Sequence, residues 1–433
     1  MTTADRELDV LVVGAGLAGL RCARALVDAG REVEVWEAAD EVGGRIRTDR
    51  VDGFLLDRGF QLLNPAYPAV RRWVDVDALG MQPFGAGVVA RTGDGGDDLA
   101  VLGHPLRDPR RLPGTLRQVA PRPREAAALA RWLAPLLRAP SGRGLAAHLE
   151  RDTDPPWRTA LDTAGADGVL RRVAERFLTG TLLEDDGSTA DGYVQLLVRT
   201  FLAGVPGLPT DGMQALPRQL ADSLGARVRL GSPAESLTTG GSGVLVAGPA
   251  GTVRAVHVVV ATAAPEAERL TGCPAPAMKG VVTEWFATRQ PPGRLGRYLH
   301  VDARPVAAGP LVNVAVVSAS APSYAPTGRH LVAASALMGP GRPAPGSAEL
   351  RHHAGDLLGC VTSSWETVGR HEVPHALPAQ PAPLVTRRPQ RVADRVLVAG
   401  DHRDTGSIQG ALVSGERAAR AVLRSGAPAV AVR

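Results

Sequence analysis

Glycines at Gly14, Gly16 and Gly19 form a G-x-G-x-x-G run directly after the apolar stretch LDVLVV. Each position has a distinct physical task. The first glycine permits a tight turn, the second lets backbone approach a pyrophosphate, and the third lets a helix pack closely on a strand. The helix that follows opens with Leu17 and Ala18, whose free N–H groups and positive dipole end suit an anion. Glu37 stands eighteen residues after Gly19, at the end of the next strand-like run, EVEVWEA. A carboxylate there accepts hydrogen bonds from both ribose hydroxyls of an adenosine and repels a 2′-phosphate, so NADP is disfavoured. Gly43, Gly44 and Arg45 follow at once in EVGGRIRT, two glycines for close approach and a guanidinium for phosphate.

G-x-G-x-x-G serves both FAD and NAD, and the segments around it decide between them. Gly43-Gly44-Arg45 resembles the diphosphate-lining segment of the flavin amine oxidase, phytoene desaturase and protoporphyrinogen oxidase superfamily. FLLDRGFQLLNPAYP (54–68) resembles that family's D-x-G segment, which brings Gly59, Phe60, Gln61 and Leu62 near the isoalloxazine. PTDGMQALPRQLA resembles the turn that starts the return helix, and RVRLGSPAESL the turn that meets adenine, with Ala234 where the family often has valine. VVVATAAP resembles the strand whose end, Ala261, approaches the diphosphate. VAGDHRDTGSIQGALVSGERAARAVL (398–423) is similar to the C-terminal FAD motif, with Gly400 and Asp401 by the ribityl and diphosphate, and Ser407, Ile408 and Ala411 at a helix start facing the pyrimidine edge. The resemblance implies a Rossmann-like α/β FAD domain, non-covalent FAD, and substrate oxidation by hydride transfer to flavin N5.

Three residues are candidates for catalysis. Lys279, the only lysine of the chain, lies in MKGVVTEWFAT, roughly where many amine-oxidase relatives hold a lysine bonded through water to N5. Gln61 is the polar group of the segment beside the flavin. His371 lies in RHEVPHALPAQP, which resembles a strand lining the substrate cavity. The relatives' C-terminal motif usually carries a cage-forming tyrosine where this chain has Ser407. With only 4 tyrosines in all, the cage is at least half missing, which counts against simple amine oxidation. Phe60, Gln61 and Leu62 replace small residues and suit a hydrophobic substrate. Desaturase-like or protoporphyrinogen-oxidase-like dehydrogenation of a C–C or C–N unit is therefore expected. An amine or amino-acid oxidase releasing peroxide and a non-catalytic FAD-stabilised binding protein are the alternatives. The acceptor, oxygen or quinone, is left open.

Other motifs carry less. His371 to His375 spells HExxH, but Pro374 inside it opposes the helix that a zinc site requires, so no metal is expected. His352-His353 sits in a helical pattern whose rings diverge. Cys22, Cys273 and Cys360 are few and widely spaced, which gives no disulfide framework or zinc ribbon.

The elements that must position these groups follow from hydrophobic periodicity. LDVLVV, LAGLRCARALVDAG and EVEVWEA form a βαβ unit, with Gly30 as the helix stop. Strands and a hairpin recur around 207–265, and strand RVLVAGD with its helix closes the chain. We expect a discontinuous FAD domain from 1–65, 207–272 and 390–433 and an α+β substrate domain from 66–206 and 273–389. The first insert reads as mostly helical, with turns at GDGGDD, SGRG and TDPPW. Its basic helix REAAALARWLAPLLRA carries an apolar face of Trp132, Leu133, Leu136 and Leu137, which is expected to face the core rather than a membrane.

Composition bounds the rest. The 433 residues carry 49 basic against 44 acidic groups, a balance of +5 spread along the chain, with 4% aromatics. Neither a polynucleotide footprint nor a stacking platform emerges, so no nucleic-acid partner is expected. The start MTTADRELD lacks a secretory pattern and no apolar run approaches membrane-spanning length, so a cytoplasmic protein is expected, with peripheral membrane contact not favoured.

Overall fold

The computed structural model describes residues 6–95, 98–138, 153–249 and 251–425. Two sheets organise them. In the first, strand Arg6–Val13 is central. It runs parallel to Val33–Trp36 on one side and to Gly251–Val260 on the other. Val33–Trp36 in turn pairs with the short strand Val228–Arg229. The far edge of Gly251–Val260 is shared: its first half pairs antiparallel with Gly243–Gly248, and its last residues pair parallel with Val396–Val398.

This register positions the site. Val13 pairs with Trp36 and with Val260, and Val260 pairs with Val398. Four parallel strands therefore end side by side. The loops that leave them, at Gly14, Glu37, Ala261 and Gly400, emerge on one edge, the carboxyl edge where α/β sheets bind ligands. The Val and Leu residues of Arg6–Val13 are buried on both faces, as a central parallel strand requires.

Helices Leu17–Asp28 and Ile408–Arg424 pack against each other beside this sheet. A Cβ on Gly415 would stand 2.1 Å from the Ala18 carbonyl oxygen, so only glycine allows this approach. Arg21 and Glu416 join the same two helices by an ion pair at 2.5 Å.

The second sheet runs in the order Glu366–Pro378, Met278–Thr288, His330–Met338, Leu311–Val316, Leu299–Asp302, Gly87–Arg91, Leu99–Gly103. The last two strands are an addition to the mostly helical insert expected over 66–206. GVVAR and LAVLG are short runs in Arg- and Pro-rich surroundings, yet their apolar residues extend the sheet beside Leu299–Asp302. Helices Pro68–Trp73, Leu112–Val119, Pro123–Arg138, Trp157–Thr163, Gly168–Leu182 and Asp191–Ala203 dominate the described residues of that insert. Trp132 joins a buried cluster with Trp157, Leu161, Leu182 and Tyr193, Leu133 packs against it, and Leu136 is buried as well. The apolar face of the basic helix is thus internal there; the Leu137 side chain and the SGRG turn lie outside the described residues. No helix among the described residues is long and apolar enough to cross a membrane.

Candidate functional site

The Gly14–Gly19 turn has the steric pattern of a phosphate cradle. Gly14 has φ +103°, and a Cβ there would meet the Ala261 carbonyl at 2.9 Å. A Cβ on Gly19 would overlap the Gly14 oxygen at 1.9 Å. Gly16 is the opposite case, since a Cβ there would meet nothing within 4 Å. No side chain caps the helix that starts at Leu17, so its first N–H groups face this open space. Gly43 closes the other wall, its N–H donating to the Ala15 carbonyl at 2.9 Å. Gly44 has φ +59° and lies against Gly16, where its Cβ would be 3.5 Å from the Gly16 Cα. An uncapped helix start beside unfilled space flanked by glycines fits a dinucleotide diphosphate.

Glu37 is buried, and its carboxylate accepts from the N–H groups of Ala15 at 2.7 Å and Ala39 at 2.9 Å. These bonds fix the carboxylate at the end of its strand with acceptor capacity to spare. Ala234 is buried beneath the same edge and packs in a cluster with Trp36 and Val260.

At the far end Asp401, nearly inaccessible, is paired with Arg45 at 2.6 Å. The other Arg45 nitrogen donates to the Ala376 carbonyl at 2.7 Å. Gln61 donates to the Arg45 carbonyl at 2.8 Å and to that of Arg58 at 3.1 Å, which ties segment 59–62 to the Gly43–Arg45 turn. Phe60 donates its N–H to Thr283 at 3.2 Å and sets its ring edge-to-face on Phe84. Ser407 caps helix Ile408–Arg424 by accepting from the Gly410 N–H at 3.1 Å. The open helix start is therefore the N-terminal one.

Lys279 pairs in register with Leu377. Opposed residues of an antiparallel pair share a face, and Leu377 reaches toward Gly406, where a Cβ would stand 3.4 Å from its Cδ1. This end of the strand pair, with Lys279, thus lies beside the Gly406–Ser407 turn. Its ammonium bonds the buried carboxylate of Glu184 and the Thr189 hydroxyl at 3.0 Å. Glu184 also accepts from the Trp157 indole at 2.9 Å and the Thr189 N–H at 3.0 Å.

His371 sits elsewhere. One ring nitrogen lies 2.9 Å from Asp49 and the other accepts from the Trp285 indole at 3.1 Å, binding strand Glu366–Pro378 to hairpin Thr48–Asp57. The whole HExxH run is strand, which rules out a helical zinc motif. Asp302, His353 and Asp356 are close enough to share a cation, but Arg304 donates to Asp302 at 2.6 Å and to Asp356 at 2.5 Å and takes that place. His353 is buried in this network, while His352 beside it is exposed.

Three groups escaped the sequence reading. Asp57 is buried, and its carboxyl is pushed up to about 6 by loss of solvent, despite bonds from Thr48, the Met213 N–H and Tyr324. Tyr193 donates to the Gly406 carbonyl at 2.6 Å. Tyr67, whose phenol is pushed up to about 12 by burial, precedes a short helix whose Ala69 N–H bonds Gln409 at 2.8 Å. Two of the four tyrosines thus stand beside the turn that holds Ser407. Asp57 and Tyr67 lay in the 54–68 segment already singled out, though neither was given a role; Tyr193 gave no local signal.

The match to proteins of known family is decisive. The model for flavin-containing amine oxidoreductases covers residues 17–423. The chain belongs to that family. It has the mixed α/β fold of its relatives. Putrescine oxidase of Kocuria rosea is 49% identical over 78 residues, 18% of this chain and 16% of that one. A Mycobacterium tuberculosis protein named for flavin-containing monoamine oxidase activity is 31% identical over 284 residues, 60% of this chain and 58% of that one. The matches thus span less than two thirds of these curated relatives. Among solved structures, putrescine oxidase bound to putrescine superposes with TM-score 0.70 at 19% identity, over 96% of this chain and 99% of that one. Cyclohexylamine oxidase from Brevibacterium oxydans superposes with TM-score 0.66 at 18% identity, over 96% and 99% of the two chains.

Proposed function

We propose that this flavoenzyme dehydrogenates a hydrophobic small molecule at a C–C or C–N bond. In this reading FAD is held by segments 1–65, 207–272 and 390–433, and the substrate by 66–206 and 273–389. The open Gly16 cradle takes the diphosphate and Glu37 the ribose hydroxyls. Gly400 and Asp401 border the ribityl chain, and the Ser407–Ala411 turn lies at the pyrimidine edge. Bound there, the flavin supplies an acceptor for a hydride equivalent leaving carbon.

The carrying observation is the state of the charges around the Gly406–Ser407 turn. Asp401 is neutralised by Arg45 and Glu184 by Lys279. Neither carboxylate is free to hold a substrate ammonium, while Phe60, Leu62 and Tyr67 present apolar and aromatic surface. Such a wall excludes water and orients an uncharged substrate by shape. Tyr193, its ring packed in the helical cluster, holds the Gly406 carbonyl by its hydroxyl. Lys279 is our candidate for holding a proton-bearing water next to the reacting carbon. Gln61, bonded to two carbonyls, positions segment 59–62, and His371 braces the hairpin behind it.

Family membership favours a second reading, oxidation of an amine in its neutral form with release of peroxide. Anaerobic mixing of the purified yellow protein with polyenes, porphyrinogens and lipophilic amines tests both. We expect bleaching of the flavin by an uncharged apolar compound. Bleaching by short diamines instead would replace the first reading with the second.

A further inference from the structure

Helix Leu112–Val119 buries none of its residues. It is held to strand Leu99–Gly103 by polar contact, the Gly103 N–H donating to Thr115 at 2.9 Å. Leu112 and Leu116, one turn apart on it, are 36% and 53% exposed. Leu106 in the preceding turn is 87% exposed, and Leu202 at the end of helix Asp191–Ala203 is 50% exposed. These leucines share one region. The His104 ring lies 3.2 Å from the Leu202 carbonyl, and the Arg107 guanidinium donates to that of Ala203. Four of the eight large apolar side chains exposed among the described residues therefore gather here, whereas such residues ordinarily scatter singly.

The surround is basic and its acids are engaged. Arg110, Arg117 and Arg124 are exposed and hold no ion pair among the described residues. Asp108 accepts from the Tyr298 hydroxyl, and Glu125 from the Leu170 N–H at 2.9 Å with Arg122 at 4.0 Å. Protruding leucines set among unpaired guanidiniums complement one surface chemistry, an apolar layer beneath anionic headgroups.

We propose that this face docks on an anionic membrane surface. Leu106, Leu112, Leu116 and Leu202 enter the boundary between headgroups and acyl chains, and Arg110, Arg117 and Arg124 meet lipid phosphates. It is not the Trp132 face, which the fold buries as the sequence led us to expect. The inference is independent of the substrate reading, because lipid binding is measured without turnover.

Sedimentation of the full-chain holoprotein with phosphatidylcholine vesicles, with and without phosphatidylglycerol, is the test. We expect binding that requires the anionic lipid and weakens as salt rises. Each arginine near such a surface multiplies affinity by about fivefold, so Arg110→Glu with Arg117→Glu reduces it by more than about tenfold. Leu106→Asp with Leu116→Asp gives a loss of the same order, with flavin content and thermal transition unchanged in both pairs. Three results overturn the proposal: no binding by the wild type, equal binding by wild type and variants, or variants that change only the oligomeric state, which would make the face a contact between copies of the chain.

Discussion

Arg45 and Asp401 form an ion pair at 2.6 Å although 356 residues separate them. The pair joins the turn that follows the second strand of the FAD fold to the turn that precedes its last helix. Its two sides differ, because the Asp401 side chain is 5% exposed and that of Arg45 is 33% exposed. Removing the cation therefore leaves a buried carboxylate alone, whereas neutralising the acid leaves a guanidinium that water can reach. We expect Arg45→Met to cost about 2 kcal/mol or more and Asp401→Asn distinctly less. Urea unfolding of the flavin-free proteins gives the comparison, and equal losses would refute the asymmetry. Both variants should also retain less FAD on purification.

The second and third positions of the glycine motif differ in kind. Gly16→Ala adds a Cβ into space that no protein atom fills, on backbone that alanine accepts at φ −76°. Its flavin-free form should melt like the wild type, while FAD affinity falls by about tenfold or more, since the new methyl meets the cofactor. Gly19→Ala drives a Cβ onto the Gly14 oxygen, and overpacking of backbone costs about 3 kcal/mol or prevents folding. Calorimetry with absorbance of released flavin separates the two. Normal flavin content in Gly16→Ala would mean that the cradle is not the diphosphate site.

Lys279 neutralises a carboxylate with little access to solvent. Lys279→Met should destabilise the protein by about 3–5 kcal/mol, the range for an orphaned buried charge. Adding Glu184→Gln should restore most of it, because the amide still meets Thr189 and Trp157. If Lys279 also serves the chemistry, the stable double variant remains slow in flavin reduction or reoxidation. Normal rates in both half-reactions would confine Lys279 to a structural task.

Asp57 carries a pH signature. Burial raises its folded carboxyl from 3.8 to about 6, so the native state binds the extra proton between those values. Stability contributed by that proton is present below about pH 4 and is lost as pH rises to about 6. The loss is on the order of 3 kcal/mol. His300 and His402, which burial lowers to about 4, act with the opposite sign as pH falls from 6.5. The difference between wild type and Asp57→Asn isolates the carboxyl: the variant gains relative to wild type from pH 4 to 6. Parallel stability curves across that interval would contradict the raised value.

Much of the cofactor fold was legible in the sequence because its requirements are local. Gly14 needs a positive φ, Gly19 needs room for a carbonyl, and both needs appear as glycine next to a strand of valines. The strands Gly87–Arg91 and Leu99–Gly103 were missed because five-residue apolar runs carry no signal of the sheet that recruits them. Pairings such as Lys279 with Glu184, or Tyr193 with the Gly406 carbonyl, depend on tertiary approach that no spacing encodes. The basic helix shows the same limit. Its Trp132 face could suit a core or a membrane, and only the neighbouring helices settle it in favour of the core.

The pairing order of the first sheet has a consequence for biosynthesis. Strand Arg6–Val13 leaves the ribosome well before the neighbour on its second edge, Gly251–Val260, and Val396–Val398 is made later still. At roughly 5–20 residues per second the nascent chain waits many seconds with a valine-rich strand edge uncovered. Slowing translation between these segments, or withholding chaperones that shield emerging hydrophobic strands, should lower the soluble yield without altering the finished enzyme.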